Sequence, residues 1–248
     1  MKKLILAVAV MGAFAGIANA QEAAPATPEH SFTGNLTVAT DYRFRGISQT
    51  FKEPAVQGGF DYAHSSGFYV GNWNSNVSGT QYTDGSIEMD LYAGYKFAIT
   101  PDFAADVGAL YYYYPGAKTA GGLDYNTTEL YIAGTYKWFT LKYSNAITDA
   151  FGVANSKGSD YLELNAAFEV ADKTTLGFHV GSSKTKNSSV YDYTDYKISL
   201  SRDFGFATIG LALTTTDADS GSFTYTNGAG KSKDVSDSAA VLTISKAF

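Results

Sequence analysis

The stretch that decides the fold runs Phe32-Thr33-Gly34-Asn35-Leu36-Thr37-Val38-Ala39-Thr40-Asp41-Tyr42-Arg43-Phe44-Arg45. Its even positions carry Phe32, Leu36, Val38, Tyr42 and Phe44, while the odd ones carry Thr33, Asn35, Thr37, Asp41, Arg43 and Arg45. Successive side chains of a strand point to opposite faces, so period two predicts a strand with one oily and one polar face. The same alternation returns at Val56, Phe60 and Tyr62, and at Ile87, Met89, Leu91, Ala93, Tyr95 and Phe97, which interleave with Glu88, Asp90, Tyr92, Gly94 and Lys96. Further runs cover 69–77, 103–113, 128–138, 139–143, 162–170, 176–180, 194–200, 207–213 and 240–248, which makes twelve predicted strands.

Composition narrows what such strands can build. The 248 residues are 45% hydrophobic and 17% charged, too oily for a disordered chain. After the first twenty residues no run is long and apolar enough to span a membrane as a helix, so any insertion must be by strands. With no Cys, disulfides, thiolate nucleophiles and Cys-based metal centres are excluded. A net charge of -6 argues against nucleic acid as a partner. Abundant Tyr, Phe, Gly, Thr and Ser suit strands that meet lipid on one side and water on the other.

The chain begins Met1-Lys2-Lys3, continues as an apolar run from Leu4 to Ala18, and closes with Ala18-Asn19-Ala20. A positive start, a short apolar core and small residues two apart predict a secretory signal peptide over residues 1–20, cleaved after Ala20. Residues 21–31, rich in Ala and Pro, read as a flexible lead-in, and residues 32–248 as one folded unit.

Connection lengths alternate as well. Short turns at residues 64–66, 98–102, 138, 171–173 and 202–203 separate longer polar loops at 46–54, 78–86, 115–125, 145–159, 183–192 and 215–238. That segregation predicts an all-β, transmembrane antiparallel up-and-down barrel of about twelve strands, with long loops outside and short turns in the periplasm. A soluble sandwich would alternate too, but would not sort its connections by length. With the apolar face outward, Phe60, Tyr62, Tyr69, Tyr95, Phe97, Phe103, Tyr136, Trp138 and Phe168 form one aromatic belt, and Tyr42, Phe44, Tyr111 and Tyr113 another. The terminal Phe248 follows Ala240, Leu242, Ile244 and Lys246 at two-residue steps, like the carboxy-terminal signal read by the barrel-assembly machinery. Lys246 departs from the apolar residue usual there, but can snorkel to the interface.

The blocks Ala39-Thr-Asp-Tyr-Arg-Phe-Arg-Gly-Ile-Ser-Gln-Thr50, Pro54-Ala-Val-Gln-Gly-Gly-Phe-Asp-Tyr62, Ser66-Gly-Phe-Tyr-Val-Gly-Asn-Trp73 and Glu88-Met-Asp-Leu-Tyr-Ala-Gly-Tyr95 resemble the proteobacterial family of TorF-type porins, formerly grouped as conserved proteins of unknown function. The resemblance implies an outer-membrane barrel and a porin role, and carries no catalytic residues with it.

Closing twelve strands about 4.8 Å apart at a tilt near 40° gives a backbone radius of roughly 12 Å and a narrow lumen. The acids predicted to face it are Asp41, Asp61, Glu88, Asp90, Asp106, Glu129, Glu163, Glu169 and Asp195; the bases are Arg43, Arg45, Lys96, Lys137, Lys142 and Lys197, with His179 beside them. Two arrangements fit: a transverse field that orients small hydrophilic solutes, or an ion-pair network that stiffens the wall. The expected function is passive diffusion of such solutes without cofactor, metal or catalytic residue. The alternatives are a non-conducting structural or adhesive barrel acting through its loops, and an outer-membrane hydrolase. For the hydrolase, Glu88 and Asp90 lie two apart on one face, as any polar strand face provides, and His179 is the one inward histidine, with His30 in the lead-in and His64 at a turn. Asp217, Asp219, Asp234 and Asp237 lack the spacing of a calcium loop. No stretch of the outer face marks a subunit interface, so the number of chains per assembly stays open.

Overall fold

The computed structural model describes residues 28–248; the signal peptide expected over residues 1–20 lies outside them. In chain order the strands are β1 (His30–Ala39), β2 (Arg43–Phe44), β3 (Ile47–Ser48), β4 (Ala55–His64), β5 (Phe68–Asn76), β6 (Ile87–Thr100), β7 (Phe103–Tyr113), β8 (Thr127–Tyr136), β9 (Phe139–Ala146), β10 (Asp160–Ala171), β11 (Thr174–Lys184), β12 (Tyr193–Asp203), β13 (Thr208–Thr216), β14 (Thr224–Thr226), β15 (Ser232–Asp234) and β16 (Ala239–Ala247). Twelve of them close an antiparallel barrel in the order β1-β16-β13-β12-β11-β10-β9-β8-β7-β6-β5-β4, and the pairs β2–β3 and β14–β15 are hairpins inside two of the loops. Each of the twelve predicted runs falls on one of these strands.

Facing follows the period. Leu36, Val38, Leu91, Leu130, Leu164, Ile198, Leu211 and Leu242 are exposed on the outside, whereas Gln57, Ser75, Glu88, Asp90, Glu129, Ser144 and Asp195 point inward and are at most 4% exposed. A water-soluble sandwich would have the opposite polarity; an apolar exterior around a polar interior is the pattern of a barrel in lipid. Phe60, Tyr95, Phe97, Tyr136 and Trp138 hold their outward places at the short-turn end.

At the seam, β1 pairs with β16 through Asn35–Ala39 and with β4 along its full length, His30 to Ala39. The last residue joins the ladder: Phe248 N donates to Gly34 O at 2.9 Å. Lys246 Nζ donates to Gly205 O at 2.8 Å, at the short-turn rim.

Four expectations need correction. The first strand stops at Ala39 instead of running to Phe44, because the chain leaves the wall after Thr40 and turns into the barrel. Tyr42, Phe44 and Tyr69 therefore belong to no outer belt; Tyr42 and Tyr69 are buried inside, and Phe44 packs on Tyr112 and Phe151. Lys137 is exposed in the β8–β9 turn, near Asp102 at 3.9 Å, because positive φ there takes it out of the strand alternation. His30 and Ser31 are the first residues of β1 and not part of the lead-in, since β4 is long enough to pair them with His64 and Ala63.

Candidate functional site

Residues 40–54 form a strap across the long-loop end of the lumen. Arg45 and Gly46, with φ of 48° and 80°, make the two-residue turn of the β2–β3 hairpin. Both central residues of such a tight hairpin turn need positive φ, which glycine adopts without steric cost. Gly46 is also pressed on the wall at β12 and β13: a Cβ there would lie 2.9 Å from Asp195 Cβ and against Thr216.

The strap is fastened by polar contacts to the wall and to the neighbouring loops. Asp41 accepts from Arg43 Nε at 2.6 Å and from Ser48 Oγ at 2.6 Å, which locks the hairpin on itself. Arg43 also donates to Val235 O at 3.1 Å and to Asp237 O at 2.8 Å in the last loop. Tyr42 OH donates to Glu88 Oε1 on β6 at 3.1 Å. Burial, with Glu88 and Asp90 nearby, pushes the Tyr42 hydroxyl well above the usual phenol range and keeps it a donor. Gln81 closes the outer side, its Nε2 donating to Ser48 O at 2.5 Å and its Oε1 accepting from Phe51 N at 2.8 Å. On the rim, Lys233 Nζ reaches Phe51 O at 2.7 Å and Glu53 Oε1 at 2.6 Å, and Lys52 pairs with Asp237.

At the tip, one terminal nitrogen of Arg45 bridges both oxygens of Glu129 on β8, at 2.9 and 2.7 Å, and the guanidinium lies 4.1 Å over the Tyr161 ring. Burial alone would lower the Arg45 pKa; the charge and hydrogen bond of Glu129, with Tyr112 and Tyr161 beside them, together outweigh it and raise it. Tyr112 OH donates to Glu129 Oε2 at 3.2 Å.

Below the strap the lumen is filled unevenly. On the β4–β8 side Trp73, Tyr92, Leu110, Tyr112 and Tyr114 pack into one buried aromatic cluster with Tyr42. Tyr69 OH donates to Asp106 Oδ1 at 2.8 Å and touches the Tyr131 hydroxyl, and Tyr92 OH donates to Asp61 Oδ1 at 2.6 Å. Glycine makes room for two of these rings: a Cβ at Gly94 would fall 2.5 Å from Tyr69 Cζ, and one at Gly108 as close to Tyr131 Cζ. On the β10–β13 side the inward residues are small or polar, and Asn165, Ala167, Thr175, Gly177, Ser199 and Ser201 keep partial exposure. The interior is therefore less tightly filled on that side, below the strap.

The sequence-predicted residues sort accordingly. Asp41, Arg43 and Arg45 are inside the barrel, but on the strap instead of the wall. Lys96 and Asp106 face each other at 3.8 Å. Lys142 lies 4.3 Å over the Tyr131 ring and pairs in register with Glu163. His179 sits between Asn165 Oδ1 at 2.7 Å and Asp195 Oδ1 at 2.8 Å, with Lys197 in register beside it; Asp195 also accepts from Tyr161 OH at 2.7 Å. Glu169 is exposed near the short-turn mouth. Glu88 and Asp90 are buried next to each other, and Glu88 Oε2 and Asp90 Oδ1 have no hydrogen-bond partner among the described residues. Sequence reading missed Tyr42, Gly46, Gln81 and Lys233 as strap anchors; it placed only a long polar loop at 46–54.

These features can be set beside known proteins. No curated protein matches the chain in sequence. In fold it is similar to the KdgM porin, solved alone and in complex with disordered oligogalacturonate; each comparison gives 9% identity, a TM-score of 0.57, and coverage of 87% of this chain and 99% of that one. It is similar too to the NanC porin, at 9% identity and a TM-score of 0.53, over 87% of this chain and 98% of that one. These likenesses agree with the closed barrel. In sequence, residues 22–248 match the family described as bacterial protein of unknown function (Gcw_chp), and the chain belongs to that family.

Proposed function

We propose that the protein is a porin-like channel of the bacterial outer membrane, passing small hydrophilic solutes by passive diffusion, with the 40–54 strap as its restriction. The observation that carries this reading is the partly exposed polar wall of β10–β13, enclosed by an apolar exterior and lined by Lys197, His179 and Glu163. An ion-lined narrow path orients charged and polar solutes, while the water ordered by its charges disfavours apolar ones. The likeness to barrels named as porins supports the same reading, and the KdgM complex makes short acidic sugars sensible first solutes to offer. The lumen here carries both signs of charge, so we assign no stronger preference.

A non-conducting barrel is the second reading, favoured by the strap and by the aromatic cluster that fills the β4–β8 side. Single-channel recording in a planar lipid bilayer separates the two. Stepwise conductance supports the channel; a folded, inserted, silent protein supports the structural or adhesive barrel. For the hydrolase alternative, the partners of His179 are Tyr161, Asn165 and Asp195, with no serine nucleophile among them; the Asp-His form of that reading requires ester or peptide hydrolysis that His179→Ala abolishes.

A further inference from the structure

Two of the three histidines meet at the short-turn rim, far from the strap. His30 and His64 are directly opposed in the β1–β4 ladder, with ring centroids 5.2 Å apart. Glu29 precedes His30, and its carbonyl is fixed by Ser65 N at 2.9 Å. One ligand atom from each of Glu29, His30 and His64 lies within 4.8 Å of the other two, and this is the one such cluster of three among the described residues. His64 Nε2 is 3.7 Å from Glu29 Oε1.

We propose that Glu29, His30 and His64 form a divalent transition-metal site, suited to Zn2+, that clips the start of the barrel to the β4–β5 turn. Two imidazoles and one carboxylate are a recurrent zinc donor set that leaves a fourth position for water. The ring orientations suit it. His30 Nδ1 is engaged by Tyr62 OH at 2.9 Å and His64 Nδ1 by Ser66 Oγ at 2.7 Å, which leaves Nε2 of each ring as the available donor. A metal-ligating histidine characteristically places its other ring N–H on an outer partner of this kind, which fixes tautomer and orientation. His64 Nδ1 also accepts from Ser66 N at 3.1 Å, so metal capture at Nε2 moves the His64 proton to Nδ1, where it is donated to Ser66 Oγ in place of that bond. Closing an ion between the three groups requires contraction from 4.8 Å to ligand distances of about 2 Å from the ion. Glu29 and His30 are exposed side chains and can make that movement. His179, by contrast, has both nitrogens engaged, by Asn165 and by Asp195 and Tyr161.

The test is Zn2+ titration by calorimetry of the mature chain refolded in detergent, with far-ultraviolet dichroism as the check that each variant keeps its strands. One ion per barrel is expected, with affinity falling at least about tenfold in both His30→Ala and His64→Ala, a loss that even an outer partner can carry. On the unaltered protein, Co2+ should give visible d–d bands that Zn2+ displaces. Absence of saturable Zn2+ binding, or binding that survives His30→Ala/His64→Ala and disappears in His179→Ala, overturns the proposal. Absence of Co2+ bands on the unaltered protein does the same.

Discussion

Arg45 and Glu129 meet across the lumen: the arginine sits on a loop that leaves β1, and the glutamate on β8, five strands away round one side of the wall and seven round the other. A salt bridge along the wall would stiffen neighbouring staves. This one ties a loop inside the barrel to the wall and holds an obstacle in place.

Removing either partner leaves the other charged and buried. Arg45→Ala or Glu129→Gln should cost about 3–5 kcal/mol of stability, read from denaturant midpoints in detergent. The same variants should raise single-channel conductance, because the strap loses its far anchor. Destabilisation with unaltered conductance would mean that the strap does not restrict flow.

Gly46→Ala tests the strap without touching a charge. Its φ of 80° and its contact with Asp195 and Thr216 both oppose a Cβ. We expect a loss of more than about 1 kcal/mol together with larger or noisier conductance steps. An unchanged recording would show that the hairpin tolerates a shifted seat.

Glu88 should behave opposite to Glu129. Its Oε1 accepts only from Tyr42 in the hydrogen bonds around the strap, and its Oε2 has no partner among the described residues. An unpaired buried carboxylate is costly, and an amide could donate to the equally unpartnered Asp90 Oδ1. Glu88→Gln should therefore be neutral or stabilising by up to about 2 kcal/mol in the same denaturant assay. A loss as large as that of Glu129→Gln would reveal a counter-charge at Glu88.

Facing is testable at two strand centres. Leu91 is 50% exposed on the outer face, and arginine there should cost about 2–4 kcal/mol in a lipid-reconstituted unfolding measurement. Ser199, inward and partly exposed, should accept arginine with little loss of stability and a reduced conductance. Equal damage at both positions would contradict the inward and outward assignment.

Strand existence and polarity were legible because the period of two is imposed by the medium: Leu91 and Leu130 must meet acyl chains, while Asp90 and Glu129 must not. The strap was hidden for the same reason. Tyr42 and Phe44 continue the alternation of Phe32 to Val38 unbroken, since an oily face is equally satisfied by lipid or by Trp73, Tyr112 and Phe151. Tyr69 misled in the same way, because an aromatic near a strand end suits either an interfacial belt or a hole left by Gly94. Which charges would meet was beyond one sequence: Arg45–Glu129 depends on where a loop lands, and no spacing encodes that.

The strap also dictates an order of events during biogenesis. It departs from the first strand to be made, yet its resting place is built from Glu129, Tyr161, Asp195 and Thr216, which emerge much later. The strap can therefore take its seat only once β8, β10, β12 and β13 have been laid down, which makes its docking a late event in folding.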